Sequence, residues 1–239
     1  MKIEVWSDFV CPFCYIGKRR LELALSEFKQ KDNVKVEYKS YQLDPGSEAK
    51  PNQTIHEYLA ERKGISVDYA KQMNESVSKQ AATVGLTYNF DTMQHTNTFD
   101  AHRVAKYAET KALGKELTEK LLHAYFTDSA LISEHATLTR LAVETGLDEE
   151  EVSDLLATDR YASRVRADEE LARQIGVQGV PFFVFNEKYA VSGAQPKEVF
   201  VEVLEKVWEE ENKQPTLTSL DPKGNKTSYC TDEGCEVNE

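Results

Sequence analysis

The chain has 239 residues, of which 40% are hydrophobic, enough for one large domain or two modest ones. The net charge of −12, with no basic stripe to offset it, argues against nucleic-acid partners and anionic membrane surfaces. The N-terminus has no signal-peptide pattern and no stretch is long enough to span a bilayer, so we expect a cytoplasmic protein without membrane contact.

The first elements place two cysteines where a strand gives way to a helix. The apolar run at residues 3–6 predicts a short strand, and a helical apolar pattern begins at Pro12. Proline is tolerated at the first helical position because its missing N–H has no partner there anyway. Cys11 should therefore lie at about the N-cap, with Cys14 one turn further on the same face.

This position suits thiol–disulfide chemistry. The free N–H groups and the positive end of the helix dipole would stabilise a thiolate on Cys11. We therefore expect Cys11 to be the nucleophile and Cys14 the resolving thiol. A zinc knuckle is the competing interpretation, but it usually sits on a hairpin turn and needs a second ligand pair nearby.

The rest of the chain has strand patterns before and after a long block of helical patterns. Residues 34–43 read as a second strand, which is ended by the turn at residues 44–46. From about 54 to 176 one helical pattern follows another, beginning with a capping box at Thr54 and Glu57. A hairpin at residues 182–191 and an amphipathic helix at 199–208 follow, and the chain after Asn212 is polar.

A second constellation is Gly179-Val180-Pro181, where the proline directly precedes the apolar strand. On its own it is compatible with an ordinary trans proline at the start of a strand. The chain resembles the thioredoxin superfamily, and more closely the DsbA-type thiol oxidoreductases with a helical insertion. The resembling segments are WSDFVCPFCYIG at 6–17, AYF at 124–126, GVQGVPFF at 176–183 and VSGAQ at 191–195.

The resemblance implies an α/β, thioredoxin-like fold with a large inserted all-helical domain. Residues 1–50 and 174–212 would form the discontinuous thioredoxin-like domain, residues 51–173 the insertion, and residues 213–239 a flexible tail. It also implies that Pro181 is cis and packs beside the cysteine pair. The backbone of Val180 would then be free to pair with an extended substrate segment, and Pro12 and Phe13 would complete the substrate-binding surface.

Within that family the chain is most similar to the FrnE-like branch, whose extra Cys-x4-Cys near the C-terminus is matched by Cys230 and Cys235. One departure is that Pro12-Phe13 separates the active cysteines, where strongly oxidising relatives have a histidine. A tethered second dithiol gives a high effective concentration. We hypothesise that Cys230 and Cys235 relay the disulfide to or from a partner; incidental tail thiols or half of a zinc site are the alternatives.

The leading hypothesis is a cytoplasmic protein-disulfide oxidoreductase that needs no cofactor and no metal and acts on thiols and disulfides of proteins or small molecules. The alternative enzyme class is a glutathione-dependent isomerase or transferase, similar to the 2-hydroxychromene-2-carboxylate isomerases and kappa-class transferases, which carry serine where Cys11 stands. A binding or chaperone module is a third possibility.

Asn97, His102 and Arg103 either face the cleft or pack within the helical block. His123 is expected to be packed in the core or a groove.

Overall fold

The computed structural model describes residues 1–47 and 53–212, together with the backbone of residues 229–231 and 234–236. The strands are β1 Lys2–Ser7, β2 Lys35–Ser40, β3 Phe182–Phe185, β4 Tyr189–Ser192, β5 Tyr229–Thr231 and β6 Gly234–Glu236. The helices are α1 Pro12–Glu27, α2 Ile55–Lys63, α3 Val67–Ala82, α4 Phe99–Thr110, α5 Gly114–Phe126, α6 His135–Thr145, α7 Glu149–Leu156, α8 Ala162–Gln174 and α9 Lys197–Glu211.

Four strands form the main sheet, in the order β2-β1-β3-β4. β1 pairs in parallel with β2 through the helical crossover α1, and antiparallel with β3, so that Val5 lies opposite Phe183. β4 folds back on β3 as the hairpin that the apolar runs predict. The cysteine motif follows β1 closely, so it lies beyond the carboxyl end of this central strand.

Each face of the sheet is covered by helices. Ile3, Val5 and Phe183 point to one face and pack in a common core with side chains of α1 and α9, including Leu21 and Phe200. Trp6 points to the other face and packs against α8, where its indole N–H donates to the carbonyl of Asp168 at 2.9 Å. The alternation of side chains along β1 accounts for both layers.

Among the described residues, α2 to α8 all fall between β2 and β3, as expected for a helical insertion. Their core includes three side chains from the first βα unit, Phe9, Tyr15 and Ile16. The helices therefore close over the start of α1. The expected boundary between the insertion and the thioredoxin-like domain at residue 173 stays a prediction. Helix α8 falls within the expected insertion but also packs on the sheet.

Local signals in the sequence account for several of the observed ends. The Thr54 side chain accepts from the Glu57 N–H and the Glu57 side chain accepts from the Thr54 N–H, so the expected capping box is present. Gly64 ends the same helix in a left-handed conformation with φ of 64°. No described helix has the length and apolar character needed to cross a bilayer.

Candidate functional site

Cys11 is the N-cap of α1, and Pro12 is its first residue, as the sequence predicts. The Cys11 N–H donates to the carbonyl of Asp8 at 3.2 Å, and the Cys11 carbonyl accepts from the Cys14 N–H at 3.0 Å. No side chain caps this helix end. The first turn of α1 therefore leaves N–H groups that can stabilise an anion at the Cys11 sulfur.

Both cysteines are free thiols, and both are buried. Cys11 is 4% exposed and Cys14 is 2% exposed. Cys14 follows Cys11 by one turn of α1, so the two side chains lie on the same face of the helix start. Burial, followed by the hydrogen bond and charge of Cys11, raises the pKa of the Cys14 thiol well above its usual value, against the opposing effect of the Ser7 side chain and the Asp8 backbone.

The Val180–Pro181 peptide bond is cis, as the resemblance implies. The Cys11 thiol donates to the Val180 carbonyl at 3.5 Å, so this segment lies directly beside the nucleophile. Val180 is half-buried, and no described residue accepts a hydrogen bond from its N–H. The Pro181 carbonyl is held by the Gly193 N–H at 2.8 Å.

Gly17 allows α1 to approach this segment closely. A Cβ at position 17 would lie 3.0 Å from Pro181 Cγ and 3.1 Å from the ring of Phe183. Both distances are shorter than ordinary carbon–carbon contacts. The glycine in the motif therefore sets how near the cysteine pair lies to Pro181, a role that the sequence analysis did not assign.

Of the remaining predicted substrate-binding residues, Pro12 is half-buried and Phe13 is 38% exposed. The Pro12 carbonyl accepts a hydrogen bond of 2.8 Å from the hydroxyl of Tyr88, which belongs to the helical insertion. Burial and the nearby Cys11 sulfur raise the pKa of that hydroxyl, so it stays a donor. No sequence spacing pointed to Tyr88, because 76 positions separate the two residues.

Asp8 lies beneath the motif and is 1% exposed. Its carboxylate accepts from the Leu43 N–H at 2.8 Å and lies 3.2 Å from His102 Nε2. The His102 ring also packs against Phe9, with centroids 4.7 Å apart. Asp8 therefore joins the active-site turn to the segment after β2 and to α4, and His102 is a buried packing residue.

The remaining predictions for the helical insertion concern Arg103, His123 and metal binding. Arg103 is buried and donates to the carbonyls of Leu155 and Arg160. His123 is exposed and pairs with Asp128, so the expectation of a packed histidine is wrong. Within the described residues, no group of three or more His, Cys, Asp or Glu side chains could hold a metal.

Cys230 and Cys235 lie on β5 and β6, which pair antiparallel with these two residues directly opposite each other. Their side chains and the chain between Asn212 and β5 lie outside the described residues. The relay hypothesis and the FrnE-like assignment stay predictions.

Comparisons with known proteins agree with this architecture. A family model described as a DSBA-like thioredoxin domain matches residues 2–205. The uncharacterized protein YwbO of Bacillus subtilis is 30% identical over 204 residues, which cover 84% of this chain and 94% of that protein. The crystal structure of a probable DsbA oxidoreductase from Streptomyces coelicolor is 38% identical, covers 100% of both chains and superposes with a TM-score of 0.84.

A more distant structure, a 2-hydroxychromene-2-carboxylate isomerase, is 15% identical over 88% of this chain and 98% of its own, with a TM-score of 0.66. At that identity the likeness concerns the fold alone. The thioredoxin-like fold with a helical insertion is confirmed, and the fold by itself does not separate oxidoreductases from such isomerases.

Proposed function

The chain belongs to the family of DSBA-like thioredoxin domains, and from this premise we propose that it exchanges disulfides with protein or small-molecule thiols through Cys11 and Cys14. The observation that carries the proposal is the pair of free thiols one turn apart at the start of α1, with Cys11 beside Val180. A serine at position 11, as in the isomerases that the chain resembles, would lack this chemistry.

The two thiols differ in a way that suits sequential attack. Cys11 lies at the N-terminus of α1, where the helix dipole stabilises an anion by about 0.3–1 kcal/mol in exposed sites and up to about 2 kcal/mol in partly buried ones. The pKa of Cys14 is raised by burial, so its thiol stays protonated until a mixed disulfide has formed. This asymmetry supports Cys11 as nucleophile and Cys14 as resolving thiol.

In the reductive direction, the Cys11 thiolate attacks one sulfur of a substrate disulfide, and the other substrate sulfur leaves as a thiolate. Cys14 then loses its proton and attacks Cys11, which forms the Cys11–Cys14 disulfide and releases the second substrate thiolate. The substrate is reduced by two electrons and the dithiol is oxidised by two. An outside dithiol then reduces the Cys11–Cys14 disulfide and returns the pair to its starting state. In the oxidative direction the sequence runs in reverse, and an outside disulfide re-oxidises the pair.

The substrate surface that we propose consists of exposed Phe13, half-buried Pro12, and the backbone of Val180 beside Pro181. The free Val180 N–H can pair with the backbone of an extended segment, which gives affinity without demanding a sequence. The exposed apolar ring of Phe13 next to the nucleophile favours partly unfolded protein substrates over small charged disulfides.

We also propose the tail pair as a second dithiol. Residues directly opposite each other in antiparallel strands have Cα atoms about 4.5–5.5 Å apart, within the range that a disulfide spans. The pairing of Cys230 with Cys235 in β5 and β6 supports such a closed pair. Replacing both with serine should slow oxidation of Cys11–Cys14 by protein substrates if the tail relays the disulfide, and should change no rate if it does not.

The test of the main proposal is the reduction of insulin by dithiothreitol, followed by turbidity. Wild type should accelerate it, and Cys11→Ser should remove the acceleration. The competing isomerase function predicts glutathione-dependent isomerisation of 2-hydroxychromene-2-carboxylate that persists in Cys14→Ser. Insulin reduction at the uncatalysed rate in wild type would contradict the proposal. The expected cytoplasmic location is a separate proposal, testable by cell fractionation.

A further inference from the structure

Strand β2 is an edge of the main sheet, and β1 is its one neighbour among the described strands. The N–H groups of Lys35 and Tyr41 both donate to carbonyls on the β1 side, at 3.0 and 3.2 Å. Backbone groups alternate in direction along a strand, so those of Val36 and Tyr38 point away from the sheet. An edge of this kind is a template for pairing with another segment of chain.

Two of the outward-pointing backbone groups of β2 are already bonded to side chains. The Tyr38 carbonyl accepts from Lys106 Nζ at 2.7 Å. The Ser40 N–H donates to Asp168 Oδ2 at 2.9 Å. The N–H and carbonyl of Val36 and the N–H of Tyr38 have no hydrogen-bond partner among the described residues. These three groups are available to a further strand.

An open trough of about 590 Å³ runs along this edge. One wall consists of residues 35–39 of β2, and the other consists of the end of α4, the turn into α5 and Arg164 on α8. The volume lies within the range of clefts that bind ligands. The free backbone groups of β2 therefore face open space between two walls, where a single extended segment could lie.

The charged side chains that line the trough are mostly basic. They are Lys35, Lys39, Lys106, Lys115 and Arg164, with Glu37 and Glu109 as the carboxylates. The first three lysines are paired with carboxylates at 2.8 to 3.2 Å. Lys115 and Arg164 are exposed, and neither forms an ion pair within the described part of the chain. In a protein of net charge −12, the trough is a local site of unpaired positive charge.

We propose that this trough binds an extended acidic segment of the protein substrate, which adds a strand to the edge of β2. The identity of the partner as a substrate rests on the dithiol function proposed above. The backbone of the segment bonds the free groups of Val36 and Tyr38, as in other cases of strand addition. Its carboxylates lie near Lys115 and Arg164, which gives charge complementarity.

A segment in the trough can reach the nucleophile. Ser40 at the end of β2 lies opposite Ser7 of β1, and neighbouring strands are about 4.8 Å apart. The four residues from Ser7 to Cys11 span at most about 14 Å. The end of the trough is therefore within about 20 Å of Cys11, a distance that about six extended residues cover.

A second copy of this chain fits the edge less well. If two β2 strands paired antiparallel about Glu37, Lys35 of each would lie opposite Lys39 of the other. Like charges directly opposite each other destabilise a sheet. The chain's own acidic end, with Asp232, Glu233 and Glu236, is a competing occupant that the test below separates.

The binding test uses a fluorescein-labelled peptide without cysteine, Thr-Val-Glu-Val-Thr-Val-Glu-Val-Thr, and the same peptide with lysine in place of glutamate. Fluorescence anisotropy with the full chain should show binding of the glutamate peptide alone, and the affinity should fall as salt is added. Lys115→Gln combined with Arg164→Gln should weaken binding about two- to thirtyfold, as expected for two exposed ion pairs. Lys71→Gln combined with Lys79→Gln removes two exposed charges from α3 and should leave Kd unchanged.

A second pair of variants tests the backbone pairing. Val36→Pro removes the outward N–H and keeps the bonds between β2 and β1, because proline is tolerated on an edge strand where its missing N–H faces outward. It should abolish binding of the glutamate peptide, whereas Val36→Ala, which keeps the N–H, should retain it. Thermal unfolding of both variants checks that each is folded.

The turnover test joins each peptide, through about six further residues, to a cysteine held as its mixed disulfide with 5-thio-2-nitrobenzoate. In the full chain with Cys230→Ser and Cys235→Ser, release of the coloured thiolate should be faster from the glutamate peptide than from the lysine peptide. With Lys115→Gln and Arg164→Gln the two rates should be equal.

The proposal is overturned if both peptides bind the unaltered chain equally, or if the two charge-removing pairs of variants have the same Kd. Tighter peptide binding after Asp232→Asn, Glu233→Gln and Glu236→Gln would also overturn it, because the chain's own end would then be the occupant. Release from both peptides at no more than the rate of a Cys11→Ser variant refutes the dithiol function instead, and the anisotropy result is independent of it.

Discussion

The active-site helix is tied to the helical insertion by one carboxylate, and its removal gives a quantitative prediction. Glu119 on α5 accepts from the hydroxyl of Tyr15 at 2.6 Å and forms short ion pairs with Lys18 and Arg19, all on α1. The Lys18 side chain is only 2% exposed. We expect Glu119→Gln to weaken the hold on α1 and to leave the Lys18 ammonium with Glu22 as its remaining carboxylate.

Hydrogen bonds to charged groups contribute about 1.5–3 kcal/mol each, and leaving a buried charge short of partners costs at least as much. The amide that replaces the Glu119 carboxylate still accepts one hydrogen bond, and the site is partly exposed, so we expect a total loss of about 1.5–3 kcal/mol. For a chain of this size each kcal/mol lowers Tm by about 2–4 °C. The expected decrease in Tm is therefore about 3–12 °C.

The matched control is Glu144→Gln. Glu144 also has two basic partners, Lys120 and Arg140, both at 2.7 Å, but all three side chains lie at the surface. Exposed pairs contribute little to stability. Thermal unfolding followed by circular dichroism should show a clear decrease in Tm for Glu119→Gln and almost none for Glu144→Gln. Equal decreases would refute the argument that burial of Lys18 makes the Glu119 contacts matter.

The same variant has a predicted pH dependence. Burial raises the pKa of the Glu119 carboxyl, but hydrogen bonds from Lys18 and Tyr15 outweigh it and lower the pKa overall. An acid with a lowered folded-state pKa stabilises the fold above its unfolded value of about 4.3, and that stabilisation is lost as pH falls through the folded pKa. The difference in Tm between wild type and Glu119→Gln should therefore shrink in acid.

Two further substitutions test the contacts around the cysteine pair. Gly17→Ala would place a Cβ 3.0 Å from Pro181 Cγ; overpacking of this kind costs about 1–3 kcal/mol against a gain of about 1 kcal/mol in helix propensity. For Gly17→Ala we expect slower insulin reduction and no gain in Tm. The control Gly179→Ala, where a Cβ has no neighbour within 4 Å, should retain wild-type turnover. Equal activities of the Gly17→Ala and Gly179→Ala variants would contradict the argument. Tyr88→Phe removes the donor to the Pro12 carbonyl and should lower the free energy of unfolding by about 0.5–1.5 kcal/mol in urea titrations; an unchanged value would show that this bond does not stabilise the turn.

The parts of this structure that the sequence predicts are those encoded by local signals. Proline at the first helical position and an apolar run before it suffice to locate Cys11 at the N-cap of α1. The capping box at Thr54 works in the same way, since both partners lie within four residues. The hairpin of β3 and β4 follows from two apolar runs separated by a short turn.

The contacts missed by the sequence analysis join distant segments. Tyr88 reaches the site from the insertion, and its spacing in the sequence does not relate it to Cys11 or Cys14. The sequence favours a packed His123 because it lies in the apolar helix with Tyr125 and Phe126, but its own side chain is exposed on α5. An apolar helix at the surface still has a solvent-facing side, so the composition of the helix does not give the burial of a single position.

The central claim is that Cys11 attacks first and Cys14 resolves. The most direct measurement is a redox titration of wild type and Cys14→Ser, with free thiols alkylated and each peptide weighed by mass spectrometry. We expect wild type to oxidise to a Cys11–Cys14 disulfide, and Cys14→Ser to stop as a stable mixed disulfide on Cys11. Adducts that form first on Cys14, or a Cys14→Ser protein that carries no adduct, would contradict the account.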